Sequence, residues 1–177
     1  MKACPPMSRP LVSHQEAFDA APVAMLLVDS SGTVVDVNNQ LESLFGYSRL
    51  QLIGQPVEAL VDGAADAHRH RRESYLASPE KRPMGAGRDL FGRHRDGHRI
   101  PVEIGLTPLK KDAGTFVLAS VVDLTERKRA EEQFRLAIEA APNGMMLVDQ
   151  RGDIVLVNAQ IELIFGYSRV ELVGQSV

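Results

Sequence analysis

The chain has 177 residues, 44% hydrophobic and 24% charged, a mix that excludes intrinsic disorder and allows one ordinary domain plus part of another. Twenty Lys and Arg stand against 23 Asp and Glu, a net charge of −3, which excludes the strong positive balance of a dedicated nucleic-acid binder. The longest apolar runs, such as 23–28, are of strand length, so no membrane-spanning segment is expected in this span. The single cysteine, Cys4, excludes an intrachain disulfide and the four-Cys/His zinc spacings. The opening MKACPPMSRP lacks the apolar stretch of a secretory signal, so a cytoplasmic setting is expected.

In chain order, residues 1–12 read as a flexible tail. Ser13 to Glu16 has capping-box spacing and predicts a short helix through Ala20, ended by Pro22. Val23–Asp29 reads as a strand, Ser30-Ser31-Gly32 as a turn, and Thr33–Asn38 as the return strand with Val35 and Val37 on one face. Asn38 is the predicted cap of the next helix, which Gly46 ends. Ala64–Ala77 is helix-like. Arg88–His94, the turn Arg95-Asp96-Gly97 and Arg99–Leu109 predict a hairpin, with Lys110–Gly114 as a loop and Thr115–Val122 as a β-branched strand. From Leu124 to Ala140 the chain turns helical. Two strands, small helices, then three strands predict an α+β fold with an antiparallel sheet.

A repeat organises these elements. Shifted by 120 residues, Ala17–Val57 matches Ala137–Val177 without a gap, with the same residue at 23 of 41 positions, which makes them two copies of one unit. Copy one continues past Val57 to the helical stretch, whereas copy two stops at the equivalent valine. The expectation is a complete domain at 13–123, a helical linker at 124–136 and the first part of a second domain at 137–177, belonging to a longer protein. A lone hairpin is marginal in water, so the second copy is expected to be poorly ordered or to pair its open edge.

The motifs FDAAPVAMLLVDSSGTVVDVN (18–38), FGYSR with QLIG (45–54), GRHRDGHRIPVEI (92–104) and DLTERKRAEE (123–132) resemble those of PAS sensory domains. The resemblance implies a five-stranded antiparallel sheet with short helices over one face, and a sensor of ligand or conformation passing its state to an attached output domain. The last motif resembles the family's exit signature joined to a signalling helix. A bacterial-type sensor histidine kinase is the implied parent, with no catalysis in this span.

The candidate residues fall into three groups. In the cluster His68-Arg69-His70-Arg71-Arg72, the plain reading is a solvated helix face. The resemblance to haem-binding oxygen-sensor PAS domains instead places His68 at the iron ligand and Arg88 at the oxygen-side arginine, with haem b as the cofactor. Flavin photochemistry is not expected, because it needs a cysteine facing the ring and Cys4 lies outside the domain. His14, His94 and His98 show no nucleophile or carboxylate partner at a recognisable spacing, so neither catalysis nor a metal site is expected there. Gly85-Ala86-Gly87 reads as a flexible approach to a strand, and the basic excess over 69–99 as solvated surface.

Along the linker, Ala130, Phe134, Ala137 and Ala141 recur at helical spacing, and Leu124 and Ile138 fit a heptad. A homodimer through Phe134 and Ile138 is expected. Asp123 and Thr125 are both good cap residues, and Asp123 with Glu126 has capping-box spacing, which makes this pair the expected signal junction. The reading is a sensory module relaying a signal through the linker helix to an output domain of the same polypeptide. A possible small-molecule ligand, a haem gas sensor and a ligand-free dimerisation scaffold stay open as alternatives.

Overall fold

A computed structural model describes residues 13–63, 65–77, 80, 82–84, 89–111 and 114–177. The chain divides into two compact units between Thr125 and Glu126.

The first unit opens with helix α1, His14–Asp19, whose cap Ser13 forms the reciprocal bonds with Glu16 that the spacing predicted. Strands β1, Ala24–Val28, and β2, Val34–Val37, follow as an antiparallel pair. Helices α2, Asn39–Phe45, and α3, Arg49–Leu52, lead to a 3-10 turn at Val57–Leu60 and helix α4, Ala65–Ala77. Then come the two-residue β3, Arg82–Pro83, and strands β4, Leu90–Arg93, β5, Arg99–Lys111, and β6, Gly114–Asp123.

Five strands make the expected antiparallel sheet, to which β3 adds one short rung. The order is β2-β1-β6-β5, and both β3 and β4 pair along the outer edge of β5. Ala24, Leu26 and Val28 on β1, Ile100 and Val102 on β5, and Ala119 and Val121 on β6 bury one face against Leu41, Phe45, Leu52 and Leu60. Each such side chain removed from water stabilises the fold by roughly 1.5–3 kcal/mol for the larger ones, so this layer holds the sheet and helices together.

Two details depart from the pattern read in the sequence. The inward residues of β2 are Val34 and Val37, not Val35 and Val37, and Val35 is exposed. The pairing jumps from Leu27↔Asp36 to Val28↔Val34, leaving Val35 as the extra residue of a β-bulge, which shifts the alternation by one. The stretch predicted as a loop at Lys110–Gly114 is mostly strand, with Lys110 opposite Thr115 and Lys111 opposite Gly114. The β5–β6 hairpin is therefore longer than composition suggested.

The second unit repeats the opening of the first. Its leading helix is α5, Thr125–Glu139, followed by β7, Met146–Val148, β8, Ile154–Val157, α6, Ala159–Phe165, and α7, Arg169–Leu172. Its hairpin carries the same bulge, now at Val155, between Leu147↔Leu156 and Val148↔Ile154. Ile154, Val157 and Ile161 form a small core. Phe45 is 3% exposed in the first unit and its counterpart Phe165 is 59% exposed; in the first unit Gly92 of β4 lies against the Phe45 ring so closely that a Cβ there would strike it.

A buried asparagine organises each copy. Asn38, capping α2, is fully buried and uses all its hydrogen-bonding capacity. Its Oδ1 accepts from the Met25 N–H at 2.9 Å and the Leu41 N–H at 3.1 Å. Its Nδ2 donates to the carbonyls of Phe18 at 3.2 Å and Val23 at 2.9 Å. Asn158 repeats this with Met145, Ile161, Ile138 and Asn143. Truncating Asn38 removes the cap and strands buried backbone groups, each costing roughly 1–3 kcal/mol. Asn38→Ala is expected to lower unfolding free energy by at least about 2 kcal/mol in urea titration; a loss within the ordinary surface range of about 0.5 kcal/mol would contradict this account.

Candidate functional site

On α4, residues four apart share a face, and His68 and Arg72 turn toward the body of the first unit. Both meet one carboxylate oxygen of Glu58 from the 3-10 turn: His68 Nδ1 lies 3.1 Å from Oε1 and Arg72 Nε 3.3 Å from the same atom. Glu58 is buried, while the His68 and Arg72 side chains are half-buried. Arg72 also donates to the Ser30 carbonyl at 3.5 Å and covers Gly32, where an added Cβ would run into the guanidinium. Gly32 also sits at φ +89°, so the β1–β2 turn needs glycine on two counts. One turn further along α4, Tyr75 is buried and its hydroxyl donates to the Glu80 carbonyl at 2.8 Å.

The plain reading of the His/Arg cluster thus holds for Arg69, His70 and Arg71, which are exposed, and fails for His68 and Arg72. Burial raises the Glu58 acid, but hydrogen bonds from His68 and from its own backbone, with the charge of Arg72, outweigh it and hold Glu58 below its ordinary 4.5. An ionised carboxylate only accepts, so Nδ1 is the His68 nitrogen that donates to Glu58 and Nε2 is the one turned away from it. Glu58 was absent from the sequence reading; its partners lie 10 and 14 residues away on a different element. Arg88, the other residue of the haem reading, lies outside the described residues.

At the end of β6, the Asp123 carboxylate accepts from the Thr125 N–H at 2.7 Å. The Leu124 N–H donates to the Pro101 carbonyl of β5 at 2.9 Å, so pairing with the sheet continues to the residue before α5. The capping box expected with Glu126 is not what forms: Glu126 takes Arg129 at 3.0 Å. Asp123 acts two residues before the first residue of the helix, closing a strand-to-helix turn.

Along α5 the two residues expected at a dimer interface differ. Phe134 is 55% exposed, whereas Ile138 is 5% exposed and its carbonyl is held by Asn158 at 3.1 Å. Ile138 is therefore already covered within the single chain, contrary to the expected interface role, and stands in the position that Phe18 holds in copy one. Arg169 adds a second tie to the last turn of α5, 2.8 Å from Glu139, as Arg49 ties α1 through Asp19 at 3.3 Å. Arg49 has Asp36 as a further partner at 2.5 Å; copy two has Leu156 there, and Arg169 Nε is buried without a hydrogen bond.

At the tip of the β4–β5 hairpin, His94 and His98 do have a carboxylate partner, contrary to the sequence reading. Asp96 Oδ1 lies 2.9 Å from His94 Nδ1 and 2.5 Å from His98 Nδ1. The His98 backbone N–H and the two imidazoles pull the Asp96 acid down to about 2. The spacing was visible in the sequence; the orientation of the rings was not.

Among the described residues, no helix is long and apolar enough to cross a membrane. A family model described as "PAS domain" matches residues 22–126, and one described as "PAS fold" matches 132–177. The sensor protein FixL of Bradyrhizobium diazoefficiens is 28% identical over 118 residues, covering 64% of this chain and 23% of its own length. The oxygen sensor protein DosP of Escherichia coli is 26% identical over 166 residues, covering 89% of this chain and 20% of its own. The chain thus spans about a fifth to a quarter of these relatives. A solved PAS domain from Colwellia psychrerythraea is 29% identical with a TM-score of 0.53, covering 63% of this chain and 93% of that one.

The Glu58 ion pairs carry a pH signature. Because folding lowers the Glu58 acid from 4.5, its contribution is fully present above that value and is lost as the pH falls through the lower folded one. The thermal midpoint is expected to drop through this acid window, with the drop shallower in Glu58→Gln. An identical acid slope in the variant would remove Glu58 from the account.

Proposed function

The chain belongs to the PAS family of sensory domains, and on that premise we propose that it is a sensory and dimerisation module of a multidomain signalling protein, a sensor histidine kinase. The observation that carries this reading is the double anchoring of α5. Its start is tied to the sheet of the first unit through Pro101 and Asp123, and its last turn is tied to the second unit through Asn158 and Arg169. A change in the first unit that displaces β5 or β6 bears directly on the start of this helix. The output domain reads the helix; no residue in this span performs chemistry in this reading. Exposed Phe134 is the proposed contact with a second copy, and Asp123 with Thr125 the proposed signal junction.

A second reading, a haem-based gas sensor, is favoured by the Glu58–His68 hydrogen bond. A histidine whose Nδ1 is held by a carboxylate has its Nε2 oriented and made more basic for a metal, so the donor chemistry of His68 fits an iron ligand. His68 would hold the haem, Glu58 would fix its tautomer, and Arg88 is the residue the family resemblance sets on the oxygen side. The haem supplies reversible binding of a diatomic gas. The similarity to DosP, named as an oxygen sensor, supports testing it.

Three outcomes are expected. Asp123→Ala in the full-length protein changes basal output with the thermal midpoint of the first unit nearly unmoved, because a turn bond worth roughly 0.5–2 kcal/mol is enough to shift two poses a few kcal/mol apart. Unchanged output would sink the junction. Phe134→Glu lowers the mass seen by light scattering to that of the monomer; an unchanged mass takes Phe134 out of the interface. Protein expressed with haem supplied separates the second reading: a Soret band lost in His68→Ala supports it, and its absence from the parent chain ends it.

A further inference from the structure

The tip of the β4–β5 hairpin gathers three metal-ligating side chains within five residues. The Gly97 N–H donates to the His94 carbonyl and the His94 N–H to the His98 carbonyl, each at 2.9 Å. Gly97, at φ +96°, lets the chain reverse. This pairing extends the Arg93↔Arg99 register, so His94 and His98 leave the ladder on the same side. Their rings stack with centroids 4.4 Å apart at 27°. On the other side His94 is seated against the end of α2, where a Cβ on Gly46 would meet its Nε2. Its Nδ1 is the nitrogen left facing Asp96.

The ligand atoms of His94, Asp96 and His98 all lie within 4.8 Å of one another. Two imidazole nitrogens converge on one carboxylate oxygen, which the His98 backbone N–H also fixes at 3.1 Å. A divalent ion at this point would take one coordinate bond from each of the three side chains, each bound in its deprotonated form. Two imidazoles and a carboxylate form the three-ligand set of zinc sites that keep a fourth position open. Imidazole donors select Zn²⁺, Cu²⁺ or Ni²⁺ over Mg²⁺ and Ca²⁺. Zinc–nitrogen bonds of about 2.0–2.1 Å bring tetrahedral donors to about 3.4 Å from one another. Asp96 Oδ1 stands nearer than that to both rings, so the carboxylate moves off slightly as the ion enters; the adjustment falls to the two exposed side chains, since His98 is 57% and Asp96 63% exposed while His94 stays seated.

We propose that His94, Asp96 and His98 form a divalent transition-metal site on the hairpin tip, with a fourth position open to water or an outside ligand. The site is separate from Glu58 and His68 and does not depend on the signalling reading.

The test is calorimetric titration of the whole chain with Zn²⁺ in a Cys4→Ser background, which removes the lone thiol as a competing ligand. One ion per chain is expected. Losing even an outer partner of a metal ligand costs about 10–100-fold in affinity, so His98→Ala and Asp96→Asn should each weaken binding at least tenfold, with His70→Ala leaving it unchanged. Thermal midpoints without metal establish that the variants fold. With Cu²⁺, electron paramagnetic resonance should show coupling to two imidazole nitrogens in the parent and one in His98→Ala. Unaltered Zn²⁺ affinity in His98→Ala, a parent spectrum without two coupled nitrogens, or no Zn²⁺ binding at millimolar concentration would overturn the proposal.

Discussion

A single buried amide sets the geometry on which the rest of each unit is built. A side-chain amide taken out of water is costly unless every donor and acceptor finds a partner. Asn38 meets that condition with four bonds, reaching the last turn of α1, the approach to β1, the first residues of β1 and the first turn of α2. No apolar residue of similar size satisfies the same backbone groups, so these elements come together only with this side chain between them. The arrangement recurs at Asn158, with the same bulge in the hairpin and the same left-handed glycine after the helix, Gly46 and Gly166.

The functional consequence lies in what the second amide holds. In the first unit Asn38 grips α1 through Phe18; in the second, Asn158 grips α5 through Ile138. Helix α5 therefore leaves one unit and leads into the next, with a backbone hydrogen bond to the sheet at one end and a side-chain clasp at the other. The salt bridge Arg169–Glu139 reinforces the same turn, although partly exposed pairs of this kind contribute roughly 0–1 kcal/mol. The asparagine is the stronger tie because it is buried and complete.

Much of this was legible in the residues. The repeat shows as a plain match at an offset of 120 residues, while the capping box at Ser13, the cap at Asn38 and the terminating glycine are local signals, written within four to eight positions, and each is where the spacing put it. The asparagine was readable as a cap because Oδ1 to the Leu41 N–H is a three-residue interval; the Nδ2 bonds to Phe18 and Val23 span 20 and 15 residues and leave no local trace. Val35 was assigned inward because period-two counting cannot detect an inserted residue until the partner strand is seen. Glu58 and Arg72 were invisible as a pair for the same reason as the amide bonds. The His94–Asp96–His98 spacing stood in plain view, but whether two imidazoles face one carboxylate depends on the register of the hairpin, which the sequence alone left open.

Amide hydrogen exchange tests the clasp most directly, because the Asn158 oxygen accepts from two identified backbone groups. In the parent chain the Met145 and Ile161 amides should exchange slowly. Asn158→Ala should speed both, together with Ala140 and Ala141 at the end of α5, while Met25 and Leu41 in the first unit keep their protection. Unchanged exchange at Met145 and Ile161 would contradict the account, since it would mean that the amide does not hold the helix to the second unit.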